Sequence, residues 1–135
     1  TRIMNNKQIG NSFEADFCEA LFKNNGFWVH NLAQNQAGQP ADVIAVKNGR
    51  AYLIDCKVCS KKGFLLSRVE ENQDLSMSLW KSCGNDDGWF ALLMNGQVYM
   101  IPHSVMKNLQ NSKSILNADD ILEHGTLLEE WVKET

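Results

Sequence analysis

Residues 42–57 read DVIAVKNGRAYLIDCK, two apolar and partly β-branched runs on either side of Asn48-Gly49. Asn-Gly between such runs is the strongest short signal for a β-hairpin with a two-residue turn. Counting outward from that turn places Asp42 directly opposite Asp55. Directly opposed residues share a face of the hairpin, with Cβ atoms roughly 4.5–5.5 Å apart.

Two carboxylates and an ammonium are thereby expected on one face of the hairpin. Opposed carboxylates repel each other, whereas a divalent cation between them turns the repulsion into a binding site. Because side chains alternate along a strand, Lys57 points to the same side as Asp55, and Cys56 points to the other. The alternative is an exposed strand end with solvated charges, and the facing aspartates count against it.

The elements around this hairpin follow from periodicity and turn residues. Residues 7–24 are predicted to form a helix in which Ile9, Phe13, Phe17 and Leu21 make one apolar stripe. The sequence predicts an α/β (α+β) fold, in the order helix, three strands, helix, two strands, helices, with a mixed central sheet flanked by helices. The remaining elements are strands at 27–32, 89–94 and 97–101, a helix at 69–83, a short helix capped by Ser104, and helical turns at 118–124 and 127–133.

Two polar side chains on the predicted helices face towards the sheet. Glu14 lies at the edge of the apolar stripe and can point towards the acids, although, taken alone, an ordinary exposed glutamate in the first turns is the better explanation. Gln73 lies on the inward stripe of the second helix, and a buried amide needs hydrogen-bond partners. Its partner could be a water or phosphate at the site, or a loop carbonyl. The other members of that inward stripe are Val69, Met77, Trp80 and Cys83.

Charge is unevenly distributed along the 135 residues, whose net charge is −3. Residues 118–135 hold six acids and one lysine, and we expect them to be an acidic helical C-terminal appendage of the same domain, whose core is residues 1–117. Residues 56–69 hold four bases and no acid, which could face phosphates, although a solvated loop is the simpler explanation for four bases alone.

The cysteines and the apolar runs indicate a cytoplasmic protein without a membrane partner. Cys18, Cys56, Cys59 and Cys83 do not have the spacing of a disulfide framework, and no secretory signal precedes them, so we expect reduced thiols. The longest apolar run, residues 89–94, is far too short to cross a bilayer. No organic cofactor is expected.

Three short stretches together resemble a known family. Residues 40–42 read PAD, residues 55–57 read DCK, and residues 10–14 read GNSFE at the start of the first helix. This pattern is similar to that of the PD-(D/E)xK nuclease superfamily, and most of all to Holliday-junction resolvases of the archaeal and recombination protein U types. The resemblance covers roughly residues 10–101 and implies a restriction-endonuclease-like core.

The resemblance also implies roles for individual residues. Asp42, Asp55 and the main-chain carbonyl of Cys56 would hold Mg²⁺ or Mn²⁺, with Glu14 contributing directly or through water. Lys57 would serve the attacking water, either as a base or by stabilising charge, and Gln73 matches a recurrent glutamine on the following helix. The remaining expected contacts, to flanking phosphates, are those of Lys61, Lys62 and Arg68.

The expected function is a structure-selective, metal-dependent DNA endonuclease. Because a four-way junction needs two cuts, we expect a symmetric homodimer. Asp55 replaces the glutamate more common in resolvases, and residues 33–39 match no resolvase loop. Both departures leave open which DNA structure is the substrate. A restriction-type or phage DNA-processing nuclease of the same fold remains an alternative.

Other classes of function remain as alternatives. The fold could serve as a non-cleaving DNA-binding or protein-interaction module, with Trp131 on an exposed partner helix. A zinc or redox site could use Cys56-x-x-Cys59, but it lacks a second paired motif. Nucleophilic catalysis by cysteine or serine with His30, His103 or His124 lacks any recognisable signature.

Overall fold

The computed structural model describes residues 6–32 and 41–135, so Pro40 and the loop at 33–39 lie outside the described residues. The helices are Asn6–Asn25 (α1), Glu71–Ser82 (α2), His103–Gln110 (α3), Ala118–His124 (α4) and Leu128–Glu134 (α5). The strands are Trp28–Asn31 (β1), Val43–Lys47 (β2), Arg50–Val58 (β3), Phe64–Leu65 (β4), Trp89–Met94 (β5), Gln97–Pro102 (β6), Ile115–Leu116 (β7) and Thr126–Leu127 (β8).

A six-stranded mixed sheet forms the centre of the molecule, in the order β1-β2-β3-β5-β6-β8. Strands β3 and β5 run parallel and are connected through α2, whereas all the other neighbours are antiparallel. A parallel pair needs a crossover connection, and α2 supplies it on one face of the sheet. The predicted mixed sheet with flanking helices is confirmed.

The β2–β3 hairpin has the predicted register. Val43 pairs with Ile54, and the pairing runs in step to Lys47 and Arg50 at the turn. Both central turn residues adopt left-handed backbone conformations, with φ of 53° at Asn48 and 76° at Gly49. A two-residue turn with both φ values positive matches the right-handed twist of the strands, which is why Asn-Gly fixes this register.

Each face of the sheet carries its own apolar core. Helices α1 and α5 cover one face, where Phe17 and Trp131 pack against Tyr52. Helices α2, α3 and α4 supply Met77, Met106 and Ile121 to the other face. Leu53 belongs to this second core and Ile54 to the first, so the alternation along β3 separates the two faces.

Several predicted details are wrong. Ile9 and Cys83 are exposed, and α2 ends before Cys83. Ser104 does not cap α3: the N-cap position is Pro102, and the Ser104 hydroxyl donates to Asp87 instead, at 2.7 Å. The second helix begins at Glu71 and not at residue 69, because Val69 ends the 3₁₀ turn Leu66–Arg68 as its C-cap.

The C-terminal segment is part of the packed structure. Strand β8 pairs with β6, and the Trp131 side chain is only 2% exposed. Its ring stacks on Phe27 with centroids 5.8 Å apart and meets Tyr52 and Trp89 edge-on at 5.2 and 5.7 Å. The interpretation of Trp131 as part of an exposed partner helix is therefore wrong. Within residues 6–32 and 41–135, no helix is long and apolar enough to span a membrane.

A polar contact joins α2 to α3. The Asp74 carboxylate lies 2.6 Å from Nε2 of His103 and 3.3 Å from Nζ of Lys107. Partial burial by itself would raise the pKa of Asp74, but hydrogen bonds from His103 and Lys107 outweigh it and hold that pKa below its ordinary value of 3.8. The ionised carboxylate therefore stabilises the folded state.

Trp131→Ala should destabilise the whole domain, because it removes a fully buried ring that contacts three other aromatic side chains. We expect a loss of about 3–5 kcal/mol in the free energy of unfolding, measured by urea denaturation. Phe22→Ala, which removes an aromatic ring that is 60% exposed, is the matched control and should change stability by less than about 0.5 kcal/mol. Equal stability of the two variants would contradict the packed position of α5.

Asp74→Asn should reduce stability at neutral pH and lose this effect in acid. A group whose folded pKa is depressed contributes stability above its unfolded pKa, and the contribution disappears as pH falls through the folded value. The stability difference between wild type and Asp74→Asn should therefore shrink as the pH is lowered from neutral to below 3.8. Thermal melts across that range measure it, and a difference independent of pH would refute the charged contact.

Candidate active site

Asp42 stands directly before β2, where the backbone fixes it from both sides. Its amide donates to the Ile54 carbonyl at 3.1 Å, and its carbonyl accepts from the Leu32 amide at 2.8 Å. The carboxylate turns towards β3 and its Oδ2 accepts from the Cys56 amide at 2.8 Å. The buried Asp42 side chain thus lies against the stretch of β3 that carries Asp55, as the hairpin register predicts.

Asp55 is a fully buried carboxylate, with a relative exposure of 0%. Its Oδ1 accepts from Nε2 of Gln73 at 3.1 Å, and its Oδ2 lies 3.3 Å from Nζ of Lys57. Among the described residues, Oδ2 has no partner with hydrogen-bond geometry. Buried polar atoms are nearly always satisfied, so an acceptor in this state marks a place where something else can bind.

Gln73 links this carboxylate to the start of α2. Its Oε1 accepts from the Glu70 amide at 3.3 Å, while the Glu70 side chain accepts from the amide of Gln73, which together form a capping box. The side-chain amide therefore satisfies the helix terminus with its oxygen and Asp55 with its nitrogen. The sequence left open which group the buried Gln73 amide contacts. In the structure its nitrogen donates to the Asp55 carboxylate.

Burial and the neighbouring Asp42 raise the pKa of two carboxyl groups of this site, those of Asp55 and Glu14. Burial first, and then the charge of Asp42, raises the pKa of Asp55 well above its ordinary value, and Lys57 only partly offsets this. Burial, followed by a hydrogen bond to Asp42 and the charge of Asp42, raises the pKa of Glu14 to about 8. A cation among these groups would relieve both effects, because it cancels the repulsion and compensates for the lost hydration.

Helix α1 brings Glu14 to the site from the other side of the sheet. The hydrogen bond between Glu14 and Asp42 joins the helix to the residue directly before β2. Cys56 points to the α1 side, as predicted, where burial raises the pKa of its thiol well above the ordinary value. Burial also raises the pKa of Cys59, to about 11. Thiols in this state are poor metal ligands, which counts against a zinc site at Cys56-x-x-Cys59.

The basic residues lie beyond the end of β3. Lys61 and Lys62 are exposed in the turn between β3 and β4. The Arg68 guanidinium donates to the Val58 carbonyl at 2.6 Å and lies 5.3 Å from the centre of the Phe64 ring. These three side chains are therefore outside the carboxylate cluster but on the side towards which β3 runs.

The residues predicted from sequence are thus brought together in one cluster, except for the three bases next to it. Glu70 was missed, although Glu at 70 followed by Gln at 73 is a helix-start pattern that could have been recognised. In the described part of the chain, no three His, Cys, Asp or Glu side chains are grouped so that they could hold a metal ion together. The expected ligand set does not require such a group, because it consists of two carboxylates and the main-chain carbonyl of Cys56.

Comparisons with known proteins identify the family and support the fold. The family model described as archaeal Holliday junction resolvase (Hjc) matches residues 5–135. A similar solved structure is Hjc of Archaeoglobus fulgidus, a Holliday junction resolvase from an archaeal hyperthermophile. It superposes with a TM-score of 0.69 at 19% identity, covering 91% of this chain and 99% of that chain. No curated protein matches. Because the family model matches nearly the whole length, the chain belongs to the archaeal Holliday junction resolvase (Hjc) family.

Proposed function

We propose that this protein is a metal-dependent endonuclease that cuts branched DNA of the four-way junction type. The observation that carries the proposal is the Asp55 carboxylate, buried beside Asp42 and Lys57 with one oxygen lacking a hydrogen-bond partner among the described residues. Such an arrangement is unfavourable for a purely structural sheet and suits a charged ligand. Family membership supports the nuclease reaction and the DNA substrate.

For such a protein with free thiols we also propose a cytoplasmic location.

The residues fit Mg²⁺ or Mn²⁺ as the cofactor. Asp42, Asp55 and the main-chain carbonyl of Cys56 are hard oxygen donors, and Mg²⁺ binds few carboxylates while keeping several waters. Glu14 hydrogen-bonds to Asp42 and would take part through water. A divalent cation held there would polarise the scissile phosphodiester and assist the attack of water on phosphorus.

The other residues position these groups and handle charge. Gln73 holds the Asp55 carboxylate in orientation through its 3.1 Å hydrogen bond, and its own position is fixed by the start of α2. The Lys57 ammonium, 3.3 Å from Asp55, is placed to neutralise charge that develops on the phosphate. Water adds across the P–O bond, leaving one phosphate end and one hydroxyl end. Lys61, Lys62 and Arg68 would hold flanking phosphates without reading sequence.

A symmetric dimer would provide the two cuts that a junction requires. Helix α2, whose first turns position Gln73, exposes Leu75 and Leu79 at 61% and 64% on its outer side. These leucines are four residues apart and therefore adjacent on the helix surface. We propose that this face meets the same face of a second copy about a two-fold axis, which would place one active site behind each copy of α2.

Asp55→Asn should abolish cleavage while leaving the fold intact. With a labelled four-way junction and Mg²⁺, we expect the rate to fall by at least about 100-fold, which corresponds to roughly 2.7 kcal/mol of barrier. The reason is the loss of a charged metal ligand at an isosteric side chain. Junction binding should be equal or tighter, because a negative charge near the phosphates is removed.

The control for this experiment is Asp86→Asn, which neutralises an exposed aspartate. It should cleave like wild type, and EDTA should stop both. Equal rates for wild type and Asp55→Asn would remove Asp55 from the chemistry. A wild-type protein that binds the junction but does not cleave it with Mg²⁺ or Mn²⁺ would favour the non-cleaving module instead.

Leu75→Lys combined with Leu79→Lys should convert the dimer into a monomer. Like charges facing each other across a two-fold axis repel, and the apolar contact is lost. Sedimentation velocity measures the change, and Leu122→Lys, at a leucine that is 56% exposed on α4, is the matched control. A dimer that survives the double change would place the interface elsewhere.

A further inference from the structure

An exposed aromatic pair lies on strand β1, at the edge of the six-stranded sheet. Trp28 is 59% exposed, and its ring stacks on that of His30, which is also exposed. The two ring centroids are 6.2 Å apart, with 17° between the ring planes. The intervening Val29 points the other way and packs into the core, so the strand is anchored without these rings. Packing of the core therefore does not explain why these two aromatic side chains are present.

The aromatic pair is on the same face of the sheet as the active site. His30 pairs with Ile44, which pairs with Leu53, and directly paired residues share a face. Leu53 and Ile44 pack on the α2 side of the sheet. Asp55 follows two residues after Leu53 on β3 and points the same way. The exposed rings and the buried carboxylates therefore face the same side.

The distance between the pair and the site is that of a few nucleotides. In the sheet register, the row of His30 is two residues before the Asp55 row, and the row of Trp28 is four before it. At about 3.3 Å per residue along a strand and about 4.8 Å between neighbouring strands, with β1 two strands from β3, His30 and Trp28 lie roughly 12 and 16 Å from Asp55. A DNA strand rises about 3.4 Å per nucleotide in a duplex. Lys61 and Lys62 follow the opposite end of β3. A DNA strand that passes Asp55 would therefore have the aromatic pair on one side and these two lysines on the other.

We propose that Trp28 and His30 form a stacking platform for an unpaired base of the DNA substrate, a few nucleotides from the scissile phosphate. This inference rests on the proposed function, because it takes the DNA to lie across Asp42 and Asp55. Aromatic side chains beside a phosphate-binding track receive bases through their π-faces, without sequence preference. Bases in an intact duplex are already stacked, whereas a branch point offers bases that unstack at low cost. The platform therefore favours branched over linear DNA.

Binding affinity tests the platform directly. We expect Trp28→Ala to weaken binding of a fluorescein-labelled four-way junction by roughly 5- to 100-fold in EDTA, as measured by anisotropy. Trp28→Tyr should restore most of the affinity, because it keeps an aromatic face. Phe22→Ala, which removes a ring of matching 60% exposure from α1, should bind like wild type. A linear duplex should lose less affinity than the junction.

A cross-linking measurement uses the wild-type protein and is independent of how the variants fold. Junctions carrying 5-iodouracil at single positions near the branch point should form photo-cross-links to the peptide of residues 24–47, at Trp28 or His30. Cross-links at other residues only, or a Trp28→Ala variant with wild-type affinity, would overturn the platform. A change in sedimentation of Trp28→Ala at unchanged junction affinity would overturn it too, because the rings would then contact protein.

The outcomes separate this inference from the proposed nuclease function. If wild type cleaves the junction with Mg²⁺ while Trp28→Ala binds it normally, the platform fails and the nuclease remains. If wild type does not cleave but Trp28→Ala binds poorly and the cross-links map to Trp28 or His30, the platform remains and the nuclease fails. If both fail, the DNA does not follow the path along β3.

Discussion

The carboxylate of Asp55 is removed from water at the centre of the sheet, which is energetically unfavourable. The surrounding residues supply the contacts that compensate for its lost hydration. Burial of an ion is unfavourable unless partners replace its hydration. The partners are the Gln73 amide and the Lys57 ammonium, both within 3.3 Å, while Asp42 acts against them and raises the pKa of Asp55 further. The balance is incomplete within the described residues, because Oδ2 of Asp55 has no partner with hydrogen-bond geometry there. A cation bound at the proposed site would complete it.

A different feature of the fold brings each of the three neighbouring side chains to Asp55. Lys57 shares its strand and its face, so the alternation of β3 brings it there. Gln73 comes from the start of α2, the crossover that the parallel pairing of β3 and β5 requires. Asp42 comes from the antiparallel hairpin on the other side. The site therefore sits where an antiparallel and a parallel neighbour meet the same strand, and removing either neighbour would dismantle it.

The hairpin could be predicted from the sequence because its cause is local. Two residues with positive φ fix the turn, the turn fixes the register, and the register brings the acids together. The partner of Gln73 could not be predicted, because it depends on how α2 is placed over β3. The two-residue strands β4, β7 and β8 are too short to show any periodicity. Trp131 was misjudged because one buried ring among surface acids leaves almost no compositional signal.

The acidic C-terminal segment does not oppose a DNA-binding role once its position is considered. In this segment, helix α5 carries three of the six acids and covers the α1 face of the sheet, whereas Asp55 points to the α2 face. Helix α4 carries the other three acids on the α2 face, where Ile121 packs into the core. One of its acids, Asp120, is also neutralised by Lys113 at 2.7 Å. The net charge of −3 therefore says little about which face can bind DNA, because half of the acids in this segment lie on the face opposite to Asp55.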